Sequence, residues 1–272
     1  MAKKKIGIYT DLVSTSNNKV EDLYLIVDTE SIVFSVKNKI SNEFVAFEHF
    51  VNSPDNIGWH QLIAYLQNNS KLIQNIFDNI YFVWNSPRFI LTKKLNHEDT
   101  LMYQQELNLI HGTSADEELY LNPFGEDKII VFTVPDALST LLSRSFPTGK
   151  WHHYIEYVLA YNFDKAALLF VFENNYCLRL VNNGQEQLIN FYPVGGDDQN
   201  CYTILNACEN ILLNTNTIDI KIWGVNKIQD TFINSLVPYF NSFELIINNQ
   251  GSVQSTLNKN YPNHLYATYF IF

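Results

Sequence analysis

With 272 residues, 46% of them apolar and 17% charged, the chain is long enough for two lobes of ordinary size and too hydrophobic for a disordered one. A formal charge of −10 and a pI near 5.1 would repel a phosphate backbone, and the one basic cluster, Lys3 to Lys5, lies at the very start. Nucleic acid is therefore not an expected partner.

The opening MAKKKIGIYTDLVSTSNNK has no apolar stretch behind its positive cluster, so no secretion signal is expected. The longest apolar runs, such as Ala166 to Phe172, are far below the 18 or so residues of a membrane-crossing helix, and they read as buried strands. Cys177, Cys201 and Cys208 form no C-x-x-C pair, which suggests reduced thiols in a cytoplasmic protein. Residues 1–22 read as an N-terminal extension.

From Tyr24 to Phe50 three strands follow one another, LYLIVDTE, SIVFSVKN and NEFVAFEHF, with turn residues at Asp28 to Ser31 and Asn38 to Asn42. Residues Asp55 to Ile76 then carry apolar side chains at helical spacing (Ile57, Leu62, Ile63, Leu66, Ile73, Ile76), and NIYFVWN supplies a fourth strand. Residues 86–126 read as an insertion with one helix in HEDTLMYQQELNLI and a loop at HGTSADEE. KIIVFTVP is the expected fifth strand. These elements make a first lobe over 23–148 with the insertion inside it.

DALSTLLSRSF and WHHYIEYVLAY have helical periodicity around the breaker Pro147-Thr148-Gly149, so residues 149–164 read as a connecting helix. The plan then repeats over 165–272. AALLFVFE, NYCLRLVNN and EQLINFYPV form a second meander with an Asn-Gly hairpin signal at Asn183-Gly184. Tyr202 to Leu213 is helical in spacing, and IDIKIWGV and FELIINN are the fourth and fifth strands. Strand and short helix are both open for the terminal YATYFIF. A strand-helix-strand step demands a crossover, so each copy is expected to hold a mixed α/β sheet with helices packed on it.

A duplicated meander-helix-strand unit resembles the ribonuclease H-like fold used twice, as in the actin-like ATPase superfamily of actin, Hsp70 chaperones, sugar kinases and pilus-assembly ATPase-like proteins. VGGDDQNCYTI, Val194 to Ile204, resembles the glycine turn that opens a helix in the second lobe of those proteins. KIWGVNKIQDTFINSLVPYF resembles their adenosine-motif strand and helix, with Gly224-Val225 where the family has two glycines. The whole chain, including IIVFTVPDALSTLL and HHYIEYVL, looks still more like an uncharacterised bacterial domain family of unknown function with this fold.

The resemblance implies an α/β actin-like fold of two ribonuclease H-like lobes, each with a mixed five-stranded sheet, and a nucleotide site between two facing hairpins. Its positions here are Asp28, Thr29, Glu30, Ser31, Glu173, Gly195, Gly196 and Gly224. The family's Asp-x-Gly hairpins use the carboxylate to orient metal-bound water and the glycine to let backbone N–H groups approach phosphates. Glu30 stands where the first hairpin would have glycine, and Phe172-Glu173-Asn174 leaves the second without one. All three nucleotide elements depart from the pattern, which implies a pseudo-ATPase.

From the residues alone, Asp28 also suits a tight turn, and Gly195-Gly196 a sharp entry into a helix whose first turn carries Asp197 and Asp198. The seven His lack metal-ligand spacing, and G-x-S-x-G, H-E-x-x-H and the P-loop pattern are absent. No metal is expected, and no cofactor, with Mg-ATP retained only under an enzymatic reading. Three classes stay open: a non-catalytic module binding an unidentified protein or peptide, an ATPase or phosphotransferase using Asp28 and Glu173, and a structural homo-oligomer.

Overall fold

The computed structural model describes residues 3–10, 20–29, 31–51, 58–95, 100–172, 174–224, 231–246, 252–260 and 263–272. The chain divides into two compact units, Met1–Val158 and Leu159–Phe272.

In the first unit β1 (Lys3–Tyr9), β2 (Glu21–Val27), β3 (Ser31–Asn38), β4 (Phe44–Val51), β5 (Asn79–Trp84) and β9 (Lys150–His153) make one sheet of order β1-β4-β3-β2-β5-β9. The β2-β3-β4 meander is antiparallel, and β5 and β9 are added in parallel. Helix α1 (Trp59–Asn69) covers the crossover between β4 and β5 and buries Leu62, Ile63 and Leu66. It is shorter than its apolar spacing suggests. Ser70 ends it: its N–H bonds the Leu66 carbonyl, while its Oγ accepts from the N–H groups of Leu72 and Ile73. The chain is thereby turned away from the helix, and Ile76 is left exposed.

The fifth strand of this sheet differs from the sequence expectation. KIIVFTVP forms β8 (Lys128–Pro135) in a separate three-stranded sheet, between β6 (Phe89–Lys93) and β7 (Glu117–Phe124). Those two partners lie in the insertion and were not evident as strands. The fifth position goes to Lys150–His153, where the apolar spacing suggested helix; only Tyr154–Leu159 is helical, as the short α4. Gly149 makes the docking of β9 possible, because a Cβ there would lie 2.1 Å from the Phe82 ring. Helices α2 (Thr100–His111) and α3 (Asp136–Ser145) complete the unit.

The second unit repeats the topology with β10 (Ala166–Val171), β11 (Asn175–Asn182), β12 (Gln185–Pro193), β13 (Asp219–Trp223) and β14 (Ser242–Leu245), in the order β12-β11-β10-β13-β14. Asn183 and Gly184 both have positive φ, 53° and 66°, the two-residue turn that the Asn-Gly signal calls for. Helices α5 (Asp197–Asn210) and α6 (Thr231–Leu236) pack on one core with Leu169, Leu178, Ile220 and Ile222. The chain ends in α7 (Ser252–Asn260) and a 3₁₀ segment, Asn263–Phe270, which resolves the terminal aromatic run as helical. Tyr266, Ala267, Thr268, Tyr269 and Phe270 are all buried, and the segment lies against β10 and β13.

Candidate functional site

Asp28 follows the last residue of β2, and Ser31 opens β3. The Asp28 N–H donates to the Ser31 carbonyl at 3.0 Å, closing the hairpin. Both carboxylate oxygens face back into the turn: Oδ1 accepts from the Ser31 N–H at 2.5 Å and Oδ2 from the Ser31 hydroxyl at 2.8 Å. Asp28 thus has the geometry of a turn-forming residue, its charge stabilised by two local donors. Thr29 is exposed at the tip; Glu30 lies outside the described residues, as does Glu173.

Gly195 and Gly196 join β12 to α5. The side chain of Asn200, one turn into the helix and buried, clamps the first glycine. Its Oδ1 accepts the Gly195 N–H at 2.8 Å, and its Nδ2 donates to the Gly195 carbonyl at 3.1 Å. Gly196 caps α5 with φ −66° and ψ 156°, a conformation open to any residue, and no atom lies within 4 Å of a Cβ placed there. Asp197 and Asp198 occupy the first turn, where the helix dipole favours negative charge, and Asp197 also accepts from the Thr231 hydroxyl at the start of α6.

Gly224 is a different case. It follows β13 with φ +79°, and a Cβ there would sit 2.1 Å from the Val171 carbonyl oxygen and 2.7 Å from Thr268 Cγ2. Glycine is required because the chain passes against the end of β10 and the terminal 3₁₀ segment. The structure therefore gathers Asp28, Thr29 and Ser31 in one turn of the first unit, and sets Gly195, Gly196 and Gly224 just past the C-terminal ends of β12 and β13 in the second sheet. The Gly195 turn and Gly224 are three strand spacings apart in that sheet, roughly 14 Å.

A profile described as "Protein of unknown function (DUF3822)" matches residues 10–243. The chain belongs to that family. Among solved structures, this DUF3822 chain is similar to a Bacteroides thetaiotaomicron protein of actin-like ATPase fold and unknown function. The TM-score is 0.73 at 16% identity, covering 84% of this chain and 91% of that one. It is also similar to a chain of a PilM-PilN type IV pilus biogenesis complex, with a TM-score of 0.53 at 12% identity, covering 93% and 98%. No curated protein matches the sequence significantly. At these identities the likeness establishes the actin-like ATPase fold.

The DUF3822 chain carries further polar residues at these strand ends that sequence reasoning did not single out. Asn85, just after β5 and buried, donates its backbone N–H to the Val27 carbonyl, but its side-chain amide has no hydrogen-bond partner among the described residues. Next to it, the Ser86 carbonyl accepts from Nε2 of His153, which is fully buried; burial pulls the pKa of that imidazole down to about 4 and keeps it neutral. Asn200, five residues past Gly195, was legible only as a helix residue. Among the described residues, no group of three His, Cys, Asp or Glu is placed to hold a metal ion, and no helix is long and apolar enough to cross a membrane.

Proposed function

We propose that this DUF3822 chain is a non-catalytic member of the actin-like fold, a protein- or peptide-binding module that works without Mg-ATP. The observation that carries the reading is the use of the hairpin carboxylate. Both oxygens of Asp28 accept hydrogen bonds from Ser31, so the carboxylate is engaged in closing its own turn, and metal-bound water would have to share its remaining lone pairs. The clamp of Asn200 on the Gly195 N–H supports it, since that donor is already engaged rather than presented to a phosphate. The likeness to a chain of the PilM-PilN complex supports an assembly role for a protein of this fold.

The test is thermal denaturation with millimolar Mg-ATP. A nucleotide present at or below its dissociation constant adds no more than about 0.4 kcal/mol to stability, a rise of about 1 °C for a unit of this size. The expected result is no larger shift, together with co-purification of a cytosolic partner that is indifferent to Mg-ATP or chelator. A rise of several degrees that disappears in Asp28→Ala, or measurable ATP hydrolysis, would overturn the reading in favour of an ATPase.

A further inference from the structure

The two meanders correspond pair for pair. In the first, Ile32, Phe34 and Val36 of β3 stand opposite Phe50, Glu48 and Ala46 of β4, and the register then slips by one residue, leaving Val45 as the bulge. In the second, Tyr176, Leu178 and Leu180 of β11 stand opposite Tyr192, Asn190 and Leu188 of β12, and the slip falls at the same place, leaving Gln187. Val45, Phe47 and His49 of β4 therefore correspond to Gln187, Ile189 and Phe191 of β12.

Hydrogen bonding alternates along an antiparallel ladder, so a residue that does not bond one neighbouring strand turns its N–H and C=O to the other side. In the first unit β1 takes those groups: the Thr10 N–H donates to the Val45 carbonyl at 2.9 Å, with Ile8 opposite Phe47 and Ile6 opposite His49. In the second unit the Val194 N–H bonds the Asn174 carbonyl, which fixes the alternation and aims the backbone groups of Ile189 out of the sheet. Among the described residues no strand pairs with β12 on that side. The outward N–H of Phe191 is taken by Oδ1 of its own neighbour, Asn190, at 2.9 Å. Between the bulge at Gln187 and Pro193 the edge reads LINFY, without a charge, so it lacks the lysines that ordinarily keep such edges from pairing.

We propose that β12 takes an extended segment of a partner protein, added antiparallel in the place that β1 fills in the first unit, with basic residues at its N-terminal end and alternating apolar residues after them. This rests on the reading of the chain as a peptide-binding module and names the segment that it binds. The duplication supplies the occupant's chemistry. Lys3 and Lys4 lie opposite Val51 and Phe50, the end of β4 that corresponds to Pro193 and Tyr192. Just past Pro193, Asp197 and Asp198 open α5 in a chain of net charge −10, so a basic end meets opposite charge there. Residues in the places of Ile6 and Ile8 fall opposite Phe191 and Ile189 as apolar cross-strand pairs. The incoming carbonyl replaces Asn190 Oδ1 as acceptor of the Phe191 N–H, and main-chain bonds supply the affinity while alternate side chains select the segment.

The probe is a labelled peptide KKKIGIYT, the sequence of residues 3–10, titrated into the full chain and followed by fluorescence anisotropy. The expected result is saturable binding with slowed amide exchange at Ile189. N-methylation of the peptide at Ile8, whose N–H faces β12, weakens binding about tenfold or more, whereas N-methylation at Gly7, whose N–H faces away, does not. Ile189→Pro abolishes binding with circular dichroism unchanged, because the N–H it removes makes no bond to β11. A peptide with glutamates for its three lysines binds several-fold more weakly. Absence of binding to the wild type, equal loss from the two methylations, or undiminished binding of the glutamate peptide would each sink the proposal. So would a wild-type dimer in sedimentation that Ile189→Pro dissolves, since a second copy would then occupy the edge. Failure here without a Mg-ATP effect on melting removes strand addition alone; a rise of several degrees with Mg-ATP while the peptide still binds at Ile189 removes the non-catalytic reading alone.

Discussion

Aligned on the hairpin bond that closes each meander, Asp28 N–H to the Ser31 carbonyl and Phe172 N–H to the Asn175 carbonyl, the two sheets place Leu25, Phe34 and Glu48 in correspondence with Leu169, Leu178 and Asn190. Glu48 is buried on the face of the first sheet that α1 covers, Arg179 on the face of the second sheet away from α5, and the signs are opposite. Glu48 accepts from Lys4 Nζ at 2.5 Å and from the Lys71 N–H at 3.0 Å, and makes short hydrogen bonds with the Tyr9 and Ser70 hydroxyls. Arg179 donates Nε to both oxygens of Glu186, at 2.9 and 3.1 Å, and Nη1 to the Tyr161 carbonyl at 2.6 Å. The donors to Glu48 come from β1 and from the end of α1. The acceptors of Arg179 come from the neighbouring strand and the entry to the unit.

This difference follows from β1. By pairing with β4, it makes the third strand of the first meander an interior strand, buried from Phe44 to Phe50. Among the described residues the second unit has no such addition, so β12 stays at the sheet edge and is largely half-exposed. Strands in the same topological place therefore differ in burial because of one neighbour. The carboxylate of Glu48 is tolerated inside only because that neighbour supplies its counter-charge.

If that account holds, the largest effect should come from Glu48→Ala. It leaves the Lys71 N–H and the Ser70 hydroxyl without their acceptor and Lys4 without its partner, so the urea midpoint should fall by an equivalent of about 4 kcal/mol. A loss below about 1 kcal/mol would mean that β1 is held by packing alone.

The next effect belongs to the first unit and depends on pH. His153 has a folded pKa near 4, lowered by burial, with Glu156 and the Ser86 carbonyl opposing that shift. The unfolded chain then binds more protons than the folded one between about pH 6.5 and pH 4, so stability is full above that window and falls as pH drops through it, by at most about 3 kcal/mol. His153→Gln should flatten the stability profile in that interval. β14, in the equivalent place, is SFEL and has no histidine.

The smallest effects separate two glycines of the second unit. Gly224→Ala forces a Cβ onto the Val171 carbonyl at positive φ and should cost about 2 kcal/mol or more. Gly196→Ala meets open space at φ −66° and should cost less than about 1 kcal/mol, because a less mobile unfolded chain offsets part of the poorer N-cap. Equal melting temperatures for the two variants would contradict the packing at the end of β13.

The three-strand meanders, the Asn183-Gly184 turn, the Asp28 hairpin and the Gly-Gly entry into α5 were all legible in the amino-acid order. Each is written in local signals: alternation of apolar residues, turn chemistry, a small residue beside a helix start. Asn200 and Thr268 were not legible as neighbours of the glycines, since one acts through a side chain a helical turn away and the other arrives 44 residues after Gly224. Tertiary structure also decided which segment became the fifth strand of the first sheet, and it drew Lys3–Tyr9 onto β4 and the terminal aromatics onto β10 and β13. The physical reason is that a strand's apolar pattern states that it is buried but not against what; pairing partners far along the chain are chosen by the surface each sheet leaves open.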